Sequence, residues 1–374
     1  MYYIQLIFLY SIQASIESDI IYKIINGSYV DYTDPTYKKP PGNLKKVMCL
    51  FRHGERAPFI IPEINDKKIW NDEKGVEAID SMFLNNGKHS VEIKYTKCKA
   101  KTLTLNGYIQ TVMLGNHIRR IYGEWIDSIG GPQNNHLINY FSLADDRRIV
   151  SLHGVICGIL GMNDNFDKSI HDIFVIPESE IGKTFRNFDK NQINVTNIVP
   201  KDEMEKISNY FGFNNWEVHQ MTELIVASIR NTYKKNNGEF FISLDTAYRL
   251  IQAEKISWRK RAILQYKSIS HRRKCFYTLG IKLRSFLKDQ NKYFDIISVS
   301  KIKLMSFLLG LKIEEYERPL FASSIFIEVW DIKGKDFVRI IYNNEICESG
   351  FFGQELTPLT EFYQELEKEL DETN

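Results

Sequence analysis

Five cysteines are spread over 374 residues, at Cys49, Cys98, Cys157, Cys275 and Cys347, and no two form a CxxC pair. Paired thiolates of the zinc-finger kind are therefore missing, and no metal centre is expected. In a secreted chain four of the five can pair and leave one, in a connectivity that spacing alone does not reveal. Cys49 stands inside an apolar run and reads as a buried free thiol. An excess of one charge is missing too: 49 Lys and Arg stand against 47 Asp and Glu, a net +2. That balance excludes a broad polyanion-binding surface, so nucleic acid is not an expected partner and any strong positive field must be local. Beyond the first residues no apolar run is long enough for a stable membrane span.

What is present begins with an apolar block over residues 1–14, ending near Ser11, Ala14 and Ser15. It reads as a secretory signal peptide without a basic n-region, the alternative being a buried N-terminal strand or helix. The sequons Asn26-Gly27-Ser28 and Asn194-Val195-Thr196 fit a secreted or lumenal location. With 43% apolar and 26% charged residues, the chain has the composition of a soluble globular protein of one or two domains.

The most informative stretch is Val47–Pro58. Val47–Phe51 is a short apolar run after Lys45 and Lys46, as a buried parallel strand reads. It stops in Arg52-His53-Gly54-Glu55-Arg56, where two guanidinium forks bracket one imidazole. Such forks match phosphate oxygens, and an imidazole between them is a candidate nucleophile toward phosphorus. Gly54 permits a turn and a close approach to a ligand. In α/β sheets, ligand sites lie beyond the carboxyl ends of strands, where this segment falls.

The stretch Arg52-His53-Gly54-Glu55-Arg56-Ala57-Pro58 resembles the signature of the histidine acid phosphatases, Arg-His-Gly-x-Arg-x-Pro. The run Leu103-Thr104-x-x-Gly107-x-x-Gln110, with Leu114-Gly115 and Arg119 to Tyr122, resembles the helix that follows that signature. Thr104 is the expected N-cap and Gly123 the expected stop. Further on, Phe141-Ser142-Leu143-Ala144-Asp145-Asp146-Arg147 occupies the register of the family's Arg-Ser-Thr-Asp-x-Asp-Arg, with Asn139–Leu143 a strand and Ile149–Leu160 a helix. Phe141 replaces the leading arginine and Ala144 an aspartate, while Ser142, Asp146 and Arg147 match. Arg147 is then either a third phosphate ligand or a first-turn helix residue paired with Asp145 or Asp146.

The family strand ending in Ser-x-His-Asp corresponds to Phe294–Lys301, followed by a helix over Leu304–Leu311. Ser298 matches the serine, but Ser300 and Lys301 stand where the family has its His-Asp dipeptide. The resemblance makes that histidine a phosphate ligand and that aspartate the proton donor. Ser300 can donate one hydrogen bond but carries no charge, and Lys301 could neutralise phosphate but cannot act as a base while protonated at neutral pH. The other His-Asp pair, His171-Asp172, reads as surface. His153 reads as a core histidine, and Glu55, Asp145 and Asp146 are further carboxylates near the motifs. Ala322-Ser323-Ser324 leads into a strand over Ile325–Trp330, paired in a hairpin with Phe337–Tyr342.

The remaining stretches are less specific. Residues 31–43, rich in proline, read as a lead-in outside the core, and 59–101 as a loop region with a turn at Asn85-Asn86-Gly87. Glu217–Lys234 and Leu244–Ile256 read as amphipathic helices, and no buried strand is legible between 161 and 258. Arg259–Asn291 reads as one basic helix with Leu264, Ile269, Phe276, Leu279, Leu283 and Leu287 on its apolar side and a solvated cationic face.

The expectation is an α/β fold: a central, mostly parallel sheet flanked by helices, with an inserted, mainly helical cap. Its parts are a signal over 1–14, a lead-in over 15–43, a catalytic α/β unit over 44–160 and 259–374, and the cap over 161–258. The resemblance implies that Arg52, Arg56 and Arg147 bind phosphate and that His53 is phosphorylated, with no cofactor. The partner is a phosphorylated small molecule or inorganic phosphate. Three functions remain: a slow phosphomonoesterase, a pseudophosphatase that binds without turnover, and a secreted scaffold.

Overall fold

The computed structural model describes residues 29–33, 37–58, 74–83, 88–132, 134, 137–161, 171–176, 199–211, 221–227, 243–347, 351 and 354–371. The apolar block 1–14, both sequons and the turn at 85–87 lie outside them.

The apolar run after Lys46 forms strand β1, Asn43–Arg52. Its alternation sends Met48 and Leu50 to one face of the sheet and Val47, Cys49 and Phe51 to the other. Both faces are covered, which is why the run is apolar throughout instead of alternating. β1 pairs in parallel with β7, Phe294–Val299, and β7 with β5, Ile138–Leu143. β5 pairs in parallel with β6, His171–Ile176. This parallel centre is extended by antiparallel strands on both sides. Beyond β1 lie β8, Ser324–Ile332, β9, Lys335–Tyr342, and β10, Glu345–Ile346. Beyond β6 lie β3, Lys88–Lys97, β2, Lys74–Phe83, and β4, Leu103–Thr104. A short strand β11, Thr357–Pro358, also pairs with β9.

One face is packed by α1, Leu105–Ser128, and α2, Asp146–Leu160. The other is packed by α5, Ile269–Lys288, α6, Lys301–Gly310, and α7, Leu359–Leu370. Two further helices are α3, Lys201–Phe211, and α4, Leu244–Lys267, and residues 221–227 are also helical. The α/β reading with a parallel centre and flanking helices therefore describes the architecture.

Five local readings need correction. The stretch 59–101 is not only loop, since β2 and β3 form a long antiparallel hairpin there. Strand β6 lies within 161–258, so that stretch adds a strand to the main sheet. Helix α1 passes through Gly123 to Ser128, because a single glycine inside a packed helix is tolerated. The basic stretch is two helices broken at Ser268, which caps both, and Leu264 and Ile269 beside the break are exposed. Finally, the lead-in is partly core: Val30 and Tyr32 are buried, and Tyr32 donates to the Ala322 carbonyl at 2.7 Å. All five cysteines are free, and Cys49 is buried as expected. No described helix is long and apolar enough to cross a membrane.

A buried ion pair ties these layers together. Arg339 of β9 donates through Nε to Glu328 Oε2 of β8 at 2.7 Å, and both side chains are fully shielded from solvent. Trp330 Nε1, Tyr122 of α1 and Tyr37 of the lead-in also donate to Glu328. Removing one partner leaves an uncompensated charge inside the protein. Arg339→Met is thus expected to lower stability by about 3–5 kcal/mol, read from denaturant midpoints. A second prediction concerns acid. Burial and then the Arg120 charge lower His117 from its ordinary 6.5 to about 4, and Arg120 Nη2 donates to its Nδ1 at 2.9 Å. The unfolded chain binds that proton more readily, so this contribution is full above about pH 6.5 and is lost as pH falls toward about 4. His117→Gln should flatten the slope of unfolding free energy against pH in that window.

Candidate active site

Beyond β1 the chain turns at 53–58 across the start of α1. The turn is laced by Thr104 N–H to Glu55 O at 3.0 Å and Ala57 N–H to Thr102 O at 2.9 Å. Glu55 N–H donates to Gln110 Oε1 at 2.9 Å, and Thr104 caps α1 by accepting from Gly107 N–H at 3.0 Å. Two glycines make this contact possible. A Cβ on Gly54 would lie 1.9 Å from the Gly107 carbonyl oxygen, and one on Gly107 would lie 1.9 Å from that of Glu55. Gly54 thus serves a backbone-to-backbone approach to α1, where sequence reading gave it an approach to a ligand.

The arrangement holds His53 in one tautomer. Its Nδ1 is 2.8 Å from the Gly54 carbonyl oxygen, which can only accept, so Nδ1 carries the hydrogen and Nε2 keeps its lone pair. Burial first, then the charges of Arg52, Arg147 and Arg56, hold this imidazole well below its ordinary 6.5. A neutral, oriented imidazole beside three guanidiniums is suited to attack on an anionic phosphoryl group.

Arg52 and Arg56 are 2% and 6% exposed and line one cavity of about 1060 Å³. Arg52 donates through Nη1 to Pro319 O at 2.6 Å and lies 4.0 Å above the Phe321 ring. Its Nε and Nη2 are buried with no hydrogen-bond partner among the described residues. A buried guanidinium left so is a demand for an anion. Arg56 donates through Nη1 to Ala57 O at 2.7 Å and through Nη2 to Glu223 Oε1 at 2.8 Å. Arg147 takes the second of its two sequence readings, the first-turn helix residue paired with Asp145. It donates to Asp145 Oδ2 at 2.7 Å, yet its charge also bears on His53. Burial lowers Arg147 to about 10, which leaves it cationic at neutral pH. Ser151 links motif and helix, accepting from Gly54 N–H at 3.2 Å and donating to Arg147 O at 2.6 Å.

The two replacement residues part company. Ser300 turns its hydroxyl oxygen to its own helix and caps α6, accepting from Lys303 N–H at 3.3 Å. The cause is local: a serine just before a helix satisfies an orphan donor there. Lys301 does reach the site, with Nζ 3.8 Å from Glu223 Oε1 and 5.3 Å from the Trp258 ring centre. Phe141, at the family's leading arginine, stacks on Phe174 at 5.2 Å under Lys282 Nζ. His153 is a satisfied core residue, 3.0 Å from Tyr108 Oη. Asp146 accepts from Ala78 N–H, and Asp145 also pairs with Arg148. His171 and Asp172 lie in β6. Among the described residues no cluster of His, Cys, Asp and Glu could hold a metal ion.

Sequence reasoning missed Glu223, Glu254 and Arg318. Arg318 pairs with Glu254, and its Nη2 lies 3.4 Å from Glu223 Oε1. The glutamates come from the faintly patterned stretch before α5, where nothing local marks them. Arg318 had one usable signal, a cation just upstream of the matched Ala322-Ser323-Ser324. The electrostatics at His53 can be checked directly. Its imidazole resonances should stay those of the neutral ring as pH falls through 6.5, and protonate only at more acid pH.

The profile of the histidine phosphatase superfamily (branch 2) matches residues 43–295. No curated protein matches by sequence. Among solved structures, the phytase of D. castellii aligns with a TM-score of 0.54 at 14% identity, covering 95% of this chain and 86% of that one. The Klebsiella sp. ASR1 phytase gives 0.52 at 12% identity, over 88% and 96%. The Bifidobacterium longum multiple inositol polyphosphate phosphatase, in complex with phosphate, gives 0.51 at 10% identity, over 86% and 92%. At these identities the likeness speaks for the fold, and the profile match speaks for ancestry. The chain belongs to branch 2 of the histidine phosphatase superfamily.

Proposed function

We propose that this protein is a phosphomonoesterase that passes a phosphoryl group through His53. The observation that carries the reading is the buried His53 imidazole, its Nδ1 hydrogen given to Gly54 and its Nε2 lone pair left beside Arg52 and Arg56. Arg52 and Arg56 clamp the phosphoryl oxygens, and Arg147 adds positive charge beside the nucleophile. Nε2 attacks phosphorus as the ester oxygen departs, and water then releases inorganic phosphate from phospho-His53. Fixed guanidiniums supply the charge neutralisation this chemistry requires.

The cavity wall supports a simple monoester over a densely charged polyphosphate. Among the described residues it carries Asp31, Glu55, Glu223, Glu254, Glu315 and Glu317 against Arg52, Arg56, Lys255, Arg259 and Arg318. Positive charge is thus matched by negative around the rim. A second reading, binding without turnover, draws support from Ser300, whose oxygen is used as a helix cap, and from the missing aspartate. The apolar block at residues 1–14 supports a secreted or lumenal location.

The test is rapid mixing with an aryl phosphate across acid pH. A stoichiometric burst with label on His53, abolished in His53→Ala, is expected, followed by slower turnover. Vanadate or phosphate should raise the melting temperature, since a ligand of the native state alone opposes unfolding. Arg52→Ala should reduce that rise. A thermal shift without a burst leaves the binding protein, and neither response leaves the scaffold.

A further inference from the structure

Lys301 is the first residue of α6, directly after β7 and Ser300. The end of β7 is level with the end of β1, Arg52 being in register with Val299. Lys301 Nζ is 3.8 Å from Glu223 Oε1, the oxygen that accepts from Arg56 Nη2 at 2.8 Å. The lysine therefore stands at the edge of the arginine clamp, linked to it through one carboxylate. The charged groups facing it are Glu223 from the 221–227 segment, Glu254 from α4, Arg318 from the segment before β8, and Arg52 from β1. Trp258 of α4 closes the other side. Glu223 is engaged by three cations, Arg56, Arg318 and Lys301, of which only the lysine gives up a proton readily enough for acid–base work.

Resting on the phosphomonoesterase reading above, we propose that Lys301 is the proton-transfer residue of the site. Its ammonium protonates the leaving oxygen, and the amine so formed takes a proton from the water that cleaves phospho-His53. In the first step the bond from His53 Nε2 to phosphorus forms, the bond from phosphorus to the ester oxygen breaks, and a proton passes from Lys301 Nζ to that oxygen. In the second step water oxygen bonds to phosphorus, the bond to Nε2 breaks, and the water proton returns to Lys301. The sum is ester plus water giving alcohol plus phosphate, with both residues restored.

An ordinary lysine would be a weak donor in the first step because it holds its proton firmly. Here burial first, then the charges of Arg318 and Arg52, draw Lys301 well below its ordinary 10.5, with Glu223 and Glu254 opposing. A desolvated amine among cations is a recognised way to make lysine an acid–base group.

The experiment compares 4-nitrophenyl phosphate, whose leaving group needs no proton, with 2-glycerophosphate, whose leaving group does, in single turnovers of the full chain. Lys301→Met should cleave the alkyl ester ~10²–10⁴-fold more slowly and lose much less in labelling His53 from the aryl ester. Native alkyl cleavage should fall as pH rises through the Lys301 titration, because the ammonium is the donor. Lys301→Asp should restore alkyl cleavage and move that fall to acid pH. Glu223→Gln should keep the basic limb, displaced in pH. Equal losses on both esters in Lys301→Met, with the vanadate thermal shift intact, would overturn the assignment. So would a basic limb that survives Lys301→Met, or one that vanishes in Glu223→Gln, which would give the proton to Glu223. Absence of phospho-His53 in the native protein would overturn the phosphomonoesterase reading itself, and the role of Lys301 with it.

Discussion

Cationic side chains held out of water govern the site. Arg52, Arg56, Arg147 and Lys301 are gathered at the edge of an apolar sheet, where a lone charge is costly. Much else at the site answers that cost. Asp145 takes up Arg147 and Arg148, Glu223 takes up Arg56 and reaches Arg318 and Lys301, and Glu254 takes up Arg318. Arg52 is compensated least, by one carbonyl and the face of Phe321. Burial first, and then the crowding of positive charge, keeps His53 neutral and loosens the proton on Lys301. Site and fold are thus coupled through electrostatics as much as through packing.

Backbone proximity is the second constraint. The motif loop can pass over α1 only because Gly54 and Gly107 both lack a side chain. Helices α1 and α2 approach in the same way, a Cβ on Gly115 falling 2.1 Å from the Val155 carbonyl oxygen. These contacts bring Ser151 of α2 within reach of Gly54 N–H, so the loop that carries His53 is braced from two helices at once. Ala322, in the left-handed region at φ 56°, donates its N–H to the His53 carbonyl from the opposite side. Holding a non-glycine residue there costs energy that the surrounding packing must offset.

Away from the site, the buried Glu328–Arg339 pair shows the same rule without chemistry. Its charges are satisfied by Trp330, Tyr122 and Tyr37, drawn from β8, α1 and the lead-in. A segment that reads in sequence as lying outside the core is thereby tied to it.

The sequence by itself determined the parallel centre and the motif. Val47–Phe51 is apolar throughout, and Phe294–Val299 is so except at Asp295 and Ser298, because both faces of the sheet are covered, and such runs are legible at short range. Arg52, His53 and Arg56 were legible for the same reason, being fixed within five residues of one strand end. Thr104 was legible as a cap because capping is a local event. The hairpin β2–β3 and the strand β6 were not, since mixed polar strands gain their order from neighbours distant in sequence. Nor was the break at Ser268, or the turn of Ser300 into its own helix. Most of all, only tertiary structure decided what Lys301 is. Its chemistry depends on Glu223, Glu254, Arg318 and Arg52, which come from four separate segments, and proton affinity is set by what surrounds a group in space.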